Sequence, residues 1–117
     1  LFKENRLGQV SETLSAVNLV EQKRRRLAFH DRYHRNWADH PDGIPVACLH
    51  VSVGTSARMM QAGNKMPDSL RKIVGMAETE ICAVIGKSSL NEIKQLLAQH
   101  GMYLGMPEEY ISEALGN

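Results

Sequence analysis

The sequence predicts an all-α fold, because apolar residues recur at helical spacing between glycine, proline and helix-start signals. The clearest case is Leu90, Ile93 and Leu97, which fall on one face of a helix predicted over residues 89–100. Residues 46–53 could form a short strand because they are rich in β-branched side chains. With 117 residues and 43% hydrophobic content, the chain can bury one modest core.

The amino-terminal part is predicted to be a long basic helix, continuous or with a break, over residues 9–38. Residues 1–40 hold eight Lys/Arg and five Asp/Glu, a balance of +3, whereas the remainder holds six and eight, a balance of −2. The candidate arm contacts are Lys23, Arg24, Arg25 and Arg26. They could bind phosphates or form a solvated helix face, since four consecutive helical residues point in different directions.

Turn and cap residues divide the rest of the chain into short helices. Residues 38–45 contain a cluster of proline, glycine and aspartate that predicts a turn or linker. Pro67 suits the start of a helix, and Pro107 suits the first turn of another. Besides residues 89–100, helices are predicted over residues 55–62, 67–75, 78–84 and 107–115. The methionines between them are interpreted mainly as core fillers.

The segment around Gly86 carries the strongest functional signal. Ser89 and Glu92 have the spacing of a capping box, in which each side chain bonds the other residue's backbone amide. Gly86 permits a tight turn just before that start, and Lys87 adds a positive charge beside it. The first amides of the helix would then form an anion site, and on DNA the anion would be a backbone phosphate.

This segment resembles the last helix of the C-terminal domain of the α subunit of bacterial RNA polymerase. The likeness covers about residues 48–106 and is clearest over residues 85–106. The residues that carry it are Gly86, Lys87, Ser89, Leu90, Glu92, Ile93, Lys94, Leu97, Ala98, Gly101, Leu104, Gly105 and Met106. The resemblance implies a small helix-hairpin-helix domain, minor-groove contact with A/T-rich DNA, and contact with RNA polymerase or a transcription regulator.

The residues themselves predict a basic helical arm over residues 1–40 and a turn or linker over 41–47, and the resemblance implies a module over 48–117. The arm does not look like the flexible linker expected ahead of this domain in the α subunit, so a relative that carries the module is expected rather than the subunit itself. The implied DNA-binding residues are Arg58, Gly86, Lys87, Ser88, Ser89, Glu92 and Lys94. The chain departs from the family at three positions: Gly54 replaces an arginine, Ala57 an asparagine and Ser88 a lysine, although Arg58 could substitute in the groove. The alternative function is a protein-interaction scaffold or a homodimer formed through the amino-terminal helix.

Other classes of function have little support in the sequence. Cys48 and Cys82 do not make a disulfide framework, and a reducing cytoplasm is expected. No apolar run approaches 18 residues, so no membrane span is expected. His30 and His34 have a spacing that can hold zinc, but a basic helix face is favoured, and no enzyme, metal or cofactor is expected. Because the chain starts at Leu1 rather than at methionine, we expect a fragment or a trimmed form of a longer protein.

Overall fold

The computed structural model describes the backbone of residues 2–116 and the side chains of residues 18–116. This part of the chain forms six α-helices and two short 3₁₀ helices without a β-strand, which confirms the all-α prediction. The α-helices are α1 (Phe2–Trp37), α2 (Val53–Ala62), α3 (Leu70–Val74), α4 (Glu78–Ile85), α5 (Lys87–Gln99) and α6 (Glu108–Leu115). The helix-hairpin-helix arrangement within this set stays a prediction.

The strand considered for residues 46–53 is wrong, because Val46–Leu49 is a 3₁₀ helix. The preceding residues make only a short pairing: the Val46 amide donates to the Asp68 carbonyl at 2.7 Å, and the Leu70 amide donates to the Ile44 carbonyl at 3.0 Å. His50 then takes a left-handed conformation, with φ of 58°, and ends the turn. A pairing this short cannot satisfy the backbone groups of a strand, so local 3₁₀ bonds do so instead.

The core is aliphatic and lies between α5 and the shorter helices. The predicted apolar face of α5 is buried there through Leu90, Ile93 and Leu97. It packs with buried residues of α3 and α4, namely Leu70, Ile73, Val74, Ile81 and Ile85. Met59 and Met66 also lie in the core, as the filler interpretation predicts, whereas Met60 is 79% exposed. Burial of the periodic apolar positions is what holds these short helices in place.

The carboxyl-terminal half of α1 belongs to the same core. Phe29 is buried, and its ring packs against those of Tyr33 and His100 at 4.7 and 4.8 Å between centroids. α1 also packs along α6, where the Arg26 guanidinium lies 4.0 Å from the centroid of the Tyr110 ring. The amino-terminal helix is thus attached to the other helices by aromatic contacts.

Neither cysteine is in a disulfide: Cys48 and Cys82 are both free thiols and half-buried. Among the described helices, none combines the length and the apolar character needed to cross a bilayer.

Candidate nucleic-acid interface

The turn between α4 and α5 consists of a single residue, Gly86. Its amide donates to the Cys82 carbonyl at 2.9 Å and so ends α4, and its carbonyl accepts from the Leu90 amide at 3.1 Å and so begins α5. The φ of Gly86 is 86°, a value that glycine adopts without the strain of a side chain. The amides of residues 87–89 precede the first helical bond of α5 and lie at the positive end of its dipole.

The capping-box prediction for Ser89 and Glu92 is wrong. α5 begins two residues earlier than predicted, with Gly86 at the N-cap and no side chain capping it. Ser89 therefore lies inside the first turn, where it is 3% exposed, and its hydroxyl accepts from the Thr55 hydroxyl at 3.1 Å. The side chains of Ser89 and Glu92 therefore contact α2 and its N-cap residue instead of capping α5.

Glu92 is bound to the start of α2. Its carboxylate accepts from the backbone amide of Ser52 at 2.7 Å, and the Ser52 hydroxyl caps α2 by accepting from the Thr55 amide at 3.3 Å. Hydrogen bonding from the Ser52 side chain, and next from its backbone amide, holds the pKa of the Glu92 carboxyl below its ordinary value. Glu92 thus acts on the Gly86 turn through the position of α2.

Arg58 lies against the Gly86 turn. Its Nη1 is 3.3 Å from the Ile85 carbonyl oxygen and 3.3 Å from the Ser89 hydroxyl. A Cβ placed on Gly86 would lie 3.4 Å from the same nitrogen, so glycine leaves the room that the guanidinium occupies. Arg58 as a residue is exposed, and a guanidinium has five donors, so it can hold the turn and still face an anion.

The two residues that follow Gly86 are free to meet a ligand, whereas Lys94 is already paired. Lys87 and Ser88 are both exposed at the first turn of α5. Lys94 lies two turns further along, and its ammonium forms an ion pair of 2.8 Å with Glu78 at the start of α4. Its charge is thereby offset, so the positive charge at this end of α5 comes mainly from Lys87 and Arg58.

A groove beside Arg58 extends the basic surface and includes a residue that the sequence analysis missed. It has a volume of about 340 Å³ and is lined by Arg58, Gln61, Ala62, Lys65, Ala83 and Val84. Lys65 is exposed in the 3₁₀ helix that follows α2, so its charge joins that of Arg58. Thr55 and Ser52 were missed as well, although Ser52 precedes Thr55 at the spacing of an N-cap serine and the amide it bonds.

The basic run of α1 does not join this turn. Arg24 and Arg25 pair with Glu21 at 2.6 and 3.2 Å, and Arg24 foremost lowers the pKa of that carboxyl. Lys23 lies 3.7 Å from Glu113 of α6. Because Arg25 also donates to the Ala98 carbonyl near the end of α5, the run lies at the opposite end of that helix from Gly86.

Arg26 is separated from the rest of the basic run by burial. It is 2% exposed, its Nη1 donates to the Gly101 carbonyl at 2.9 Å, and its Nε lies 3.4 Å from a Glu113 carboxylate oxygen. An arginine in this environment fixes α1 to α6. It does not share an exposed surface with Lys23, Arg24 and Arg25, so the four candidate arm contacts do not form one patch.

The histidines of α1 lie away from the turn. The rings of His30 and His34 are 4.5 Å apart at their centroids and line a cleft of about 510 Å³ together with Trp37, His40 and Arg71. Among the residues with described side chains, no group of three or more histidine, cysteine or acidic residues is arranged to hold a metal ion.

Protein-family models, curated proteins and solved structures all give no significant similarity. The resemblance of residues 48–106 to the C-terminal domain of the α subunit of RNA polymerase therefore stays a prediction made from the residues.

Proposed function

We propose that this chain binds DNA by contacting a backbone phosphate at the Gly86 turn. The observation that carries the proposal is the convergence on this turn of three positive features: the start of α5, the exposed Lys87 and the Arg58 guanidinium. Half or more of protein–DNA hydrogen bonds go to phosphate and sugar, and backbone amides at helix starts are common donors.

Each residue of the turn has a distinct role in this function. The amides of Lys87 and Ser88 and the Ser88 hydroxyl donate to a phosphate oxygen, and the Lys87 ammonium adds charge. Ser89 and Glu92 are positioning residues, because Ser89 bonds Arg58 and Glu92 bonds the start of α2. Lys65 extends the contact along the groove beside Arg58. Binding is then salt-dependent, since each neutralised phosphate contributes about −0.9 to the slope of log K against log salt.

The proposed DNA preference and protein partner are taken from the resemblance to the RNA polymerase domain. A preference for A/T-rich minor grooves and a contact with RNA polymerase or a transcription regulator are properties of the similar family. Gly54 and Ala57 stand where that family has polar DNA contacts, and Gly54 is exposed on α2. A chain with small residues at these positions relies more on phosphates than on base edges, so we expect a modest sequence preference.

Fluorescence anisotropy with A/T-rich and G/C-rich duplexes over a salt series tests this function. We expect the double variant Lys87→Ala, Arg58→Ala to lose about tenfold or more in affinity, because two charge-assisted contacts are removed. Lys72→Ala is the matched control, since Lys72 is an exposed lysine of α3 and pairs with Asp42. DNA binding that is unchanged in the double variant, or absent at low salt in the parent chain, would contradict the proposal.

The second candidate function, a protein-interaction module, is favoured by exposed apolar side chains on α1. Leu19, Val20 and Leu27 are 55%, 70% and 44% exposed, and Val20 and Leu27 are seven residues apart and so share one helix face. A homodimer through this helix would bury them. Sizing by light scattering tests it: a dimer that Val20→Glu with Leu27→Glu converts to a monomer supports this candidate, and a monomeric parent chain at high concentration contradicts it.

A further inference from the structure

A second cationic cleft lies between α1 and the carboxyl-terminal end of α5. It has a volume of about 180 Å³ and is lined by Arg25, Ala28, Phe29, Arg32, Gln99 and His100. Its apolar wall is Phe29, which is 2% exposed and packs its ring against that of His100. Since α5 is 13 residues long, this cleft is about 20 Å from the Gly86 turn at 1.5 Å per residue.

The polar groups of this cleft carry more positive than negative charge. Arg25 has one acidic partner, Glu21, at 3.2 Å. Within residues 18–116, neither Arg32 nor His100 forms an ion pair with an acidic side chain. His50 approaches the same region, where its Nε2 lies 3.4 Å from the Tyr33 hydroxyl. Among these residues, Arg32 is therefore the cation of the cleft that no carboxylate offsets, whereas the charge of Arg25 is partly offset by Glu21.

The carbonyls at the end of α5 do not cancel this positive charge. The Gly101 amide donates to the Ala98 carbonyl at 3.1 Å, and the His100 and Met102 amides donate to the Leu97 carbonyl at 3.0 and 2.9 Å. Arg25 Nη1 adds a further contact to Ala98 at 3.4 Å. The Leu97 and Ala98 carbonyls are therefore satisfied, and the guanidinium of Arg25 opposes the negative end of the helix dipole at this position.

We infer that this cleft binds a phosphoryl group, with Arg32 and Arg25 as charged donors and the His100 imidazole as a third donor. The volume suits one phosphate and lies below the 300–1,000 Å³ typical of drug-sized ligands. Guanidinium groups match the geometry of phosphate oxygens, and the Phe29 wall keeps water from one side of the contact. The phosphoryl group can be that of a free phosphate or of a nucleic-acid backbone. The site is independent of the Gly86 turn.

Binding at this site couples to the protonation of His100. Burial foremost, and then the charges of Arg32, His50 and Arg25, hold the pKa of His100 below its ordinary value. Among the residues whose side chains are described, these three, two from α1 and one from the turn before α2, are the charged groups that act on His100. An anion beside the ring favours the imidazolium, so bound phosphate raises the pKa of His100.

The test is an NMR titration of the full chain with inorganic phosphate, observed at the His100 imidazole. We expect the His100 signals to shift saturably with phosphate and the pKa of His100 to rise. The affinity for phosphate should be about fivefold weaker in Arg32→Gln, because this variant loses one partly screened charge contact. Arg35→Gln is the matched control, because Arg35 is an exposed arginine of α1 that does not line the cleft. Both substitutions are on exposed residues, so both variants are expected to fold.

Two results would overturn the assignment: a His100 signal that does not respond to phosphate, or an equal loss in Arg32→Gln and Arg35→Gln. Addition of duplex DNA distinguishes the sources of the phosphoryl group. Displacement of inorganic phosphate from His100 by DNA supports the site and assigns a nucleic-acid backbone. Retention of phosphate also supports it and assigns a free phosphate. Lys87→Ala changes only the Gly86 turn, so we expect the response of His100 to phosphate to stay unchanged in this variant. Failure of DNA binding at the Gly86 turn can therefore be distinguished from failure of phosphate binding in this cleft.

Discussion

The Glu92 carboxylate accepts a hydrogen bond from the backbone amide of Ser52 at 2.7 Å, and this bond joins the first half of α5 to the start of α2. Ser52 in turn caps α2, the helix that brings Thr55 and Arg58 to the Gly86 turn. The turn is therefore positioned by a contact that α5 makes further along the helix, and the charge of Glu92 contributes to the placement of Arg58.

Removing the Glu92 carboxylate is expected to destabilise the fold and to make its stability less dependent on pH. Glu92→Gln keeps an acceptor but loses the charge, and we expect a loss of about 1 kcal/mol in the free energy of unfolding near neutral pH. Because hydrogen bonding lowers the folded-state pKa of Glu92, its stabilisation is complete above the unfolded-state pKa and is lost as the pH falls through the folded-state pKa.

Urea denaturation of the parent chain and of Glu92→Gln at a series of pH values measures this difference. The two stability curves should be separated at neutral pH and converge under acid conditions. Glu108→Gln is the control on an exposed glutamate, which pairs with Arg71 at the surface. A constant separation at all pH values would show that the effect of Glu92 is steric rather than electrostatic.

Ser89→Ala should weaken both the fold and the proposed DNA contact. Ser89 accepts from the Thr55 hydroxyl and from Arg58, and Thr55 is 3% exposed, so its hydroxyl would lose its partner in a buried place. We expect a loss of about 1–2 kcal/mol in stability and a weaker affinity for duplex DNA because Arg58 is less restrained. Ser88→Ala, on an exposed neighbour, should change stability by less than about 0.5 kcal/mol. Chemical denaturation compares them, and equal losses would contradict the role of Ser89.

The short helices could be predicted from the sequence because their signals are local. The Leu90–Ile93–Leu97 spacing and the glycine and proline positions are enough to place α5 and α6 within two residues. The capping box failed because its two side chains have better partners elsewhere. Ser89 bonds a residue 34 positions away and Glu92 bonds one 40 positions away. A local motif cannot reveal that competition.

The basic run of α1 shows that the burial of a charged residue is likewise not predictable from the local sequence. From the sequence, Arg26 is one of four consecutive cations and is expected to be solvated or bound to phosphate. The structure buries it because Glu113, Tyr110 and the Gly101 carbonyl, all from the far end of the chain, supply a carboxylate, an aromatic face and an acceptor. Tertiary contacts decide which cation of a basic run is buried, and the periodicity of the sequence does not reveal those contacts.

A double-mutant cycle on Arg26 and Glu113 should reveal strong coupling. Arg26→Met leaves the Glu113 carboxylate, 16% exposed, with Lys23 as its remaining partner at 3.7 Å. We expect a loss of about 3 kcal/mol in stability for this single change. Adding Glu113→Leu should recover at least half of the loss, because the uncompensated charge is removed and apolar contacts replace the pair. Thermal or urea unfolding measures the cycle, and simple additivity of the two changes would contradict the coupling.

Gly101 and Gly105 provide a matched pair for testing how closely α1 approaches the α5–α6 connection. Their φ angles are 71° and 79°, so an alanine at either position carries the strain of the left-handed region, about 1–2 kcal/mol. At Gly105 nothing lies within 4 Å of an added Cβ, whereas at Gly101 the Cβ would collide with the backbone carbonyl of Gln22 in α1.

Gly101→Ala should therefore lose about 1–3 kcal/mol more stability than Gly105→Ala, the usual cost of overpacking. The collision also forces α1 away from the connection, so amide hydrogen exchange should increase around Gln22 and Arg26 in Gly101→Ala and stay unchanged there in Gly105→Ala. Urea unfolding gives the difference in free energy, and exchange locates it. Equal destabilisation with equal exchange in the two variants would mean that α1 does not pack against this connection in solution.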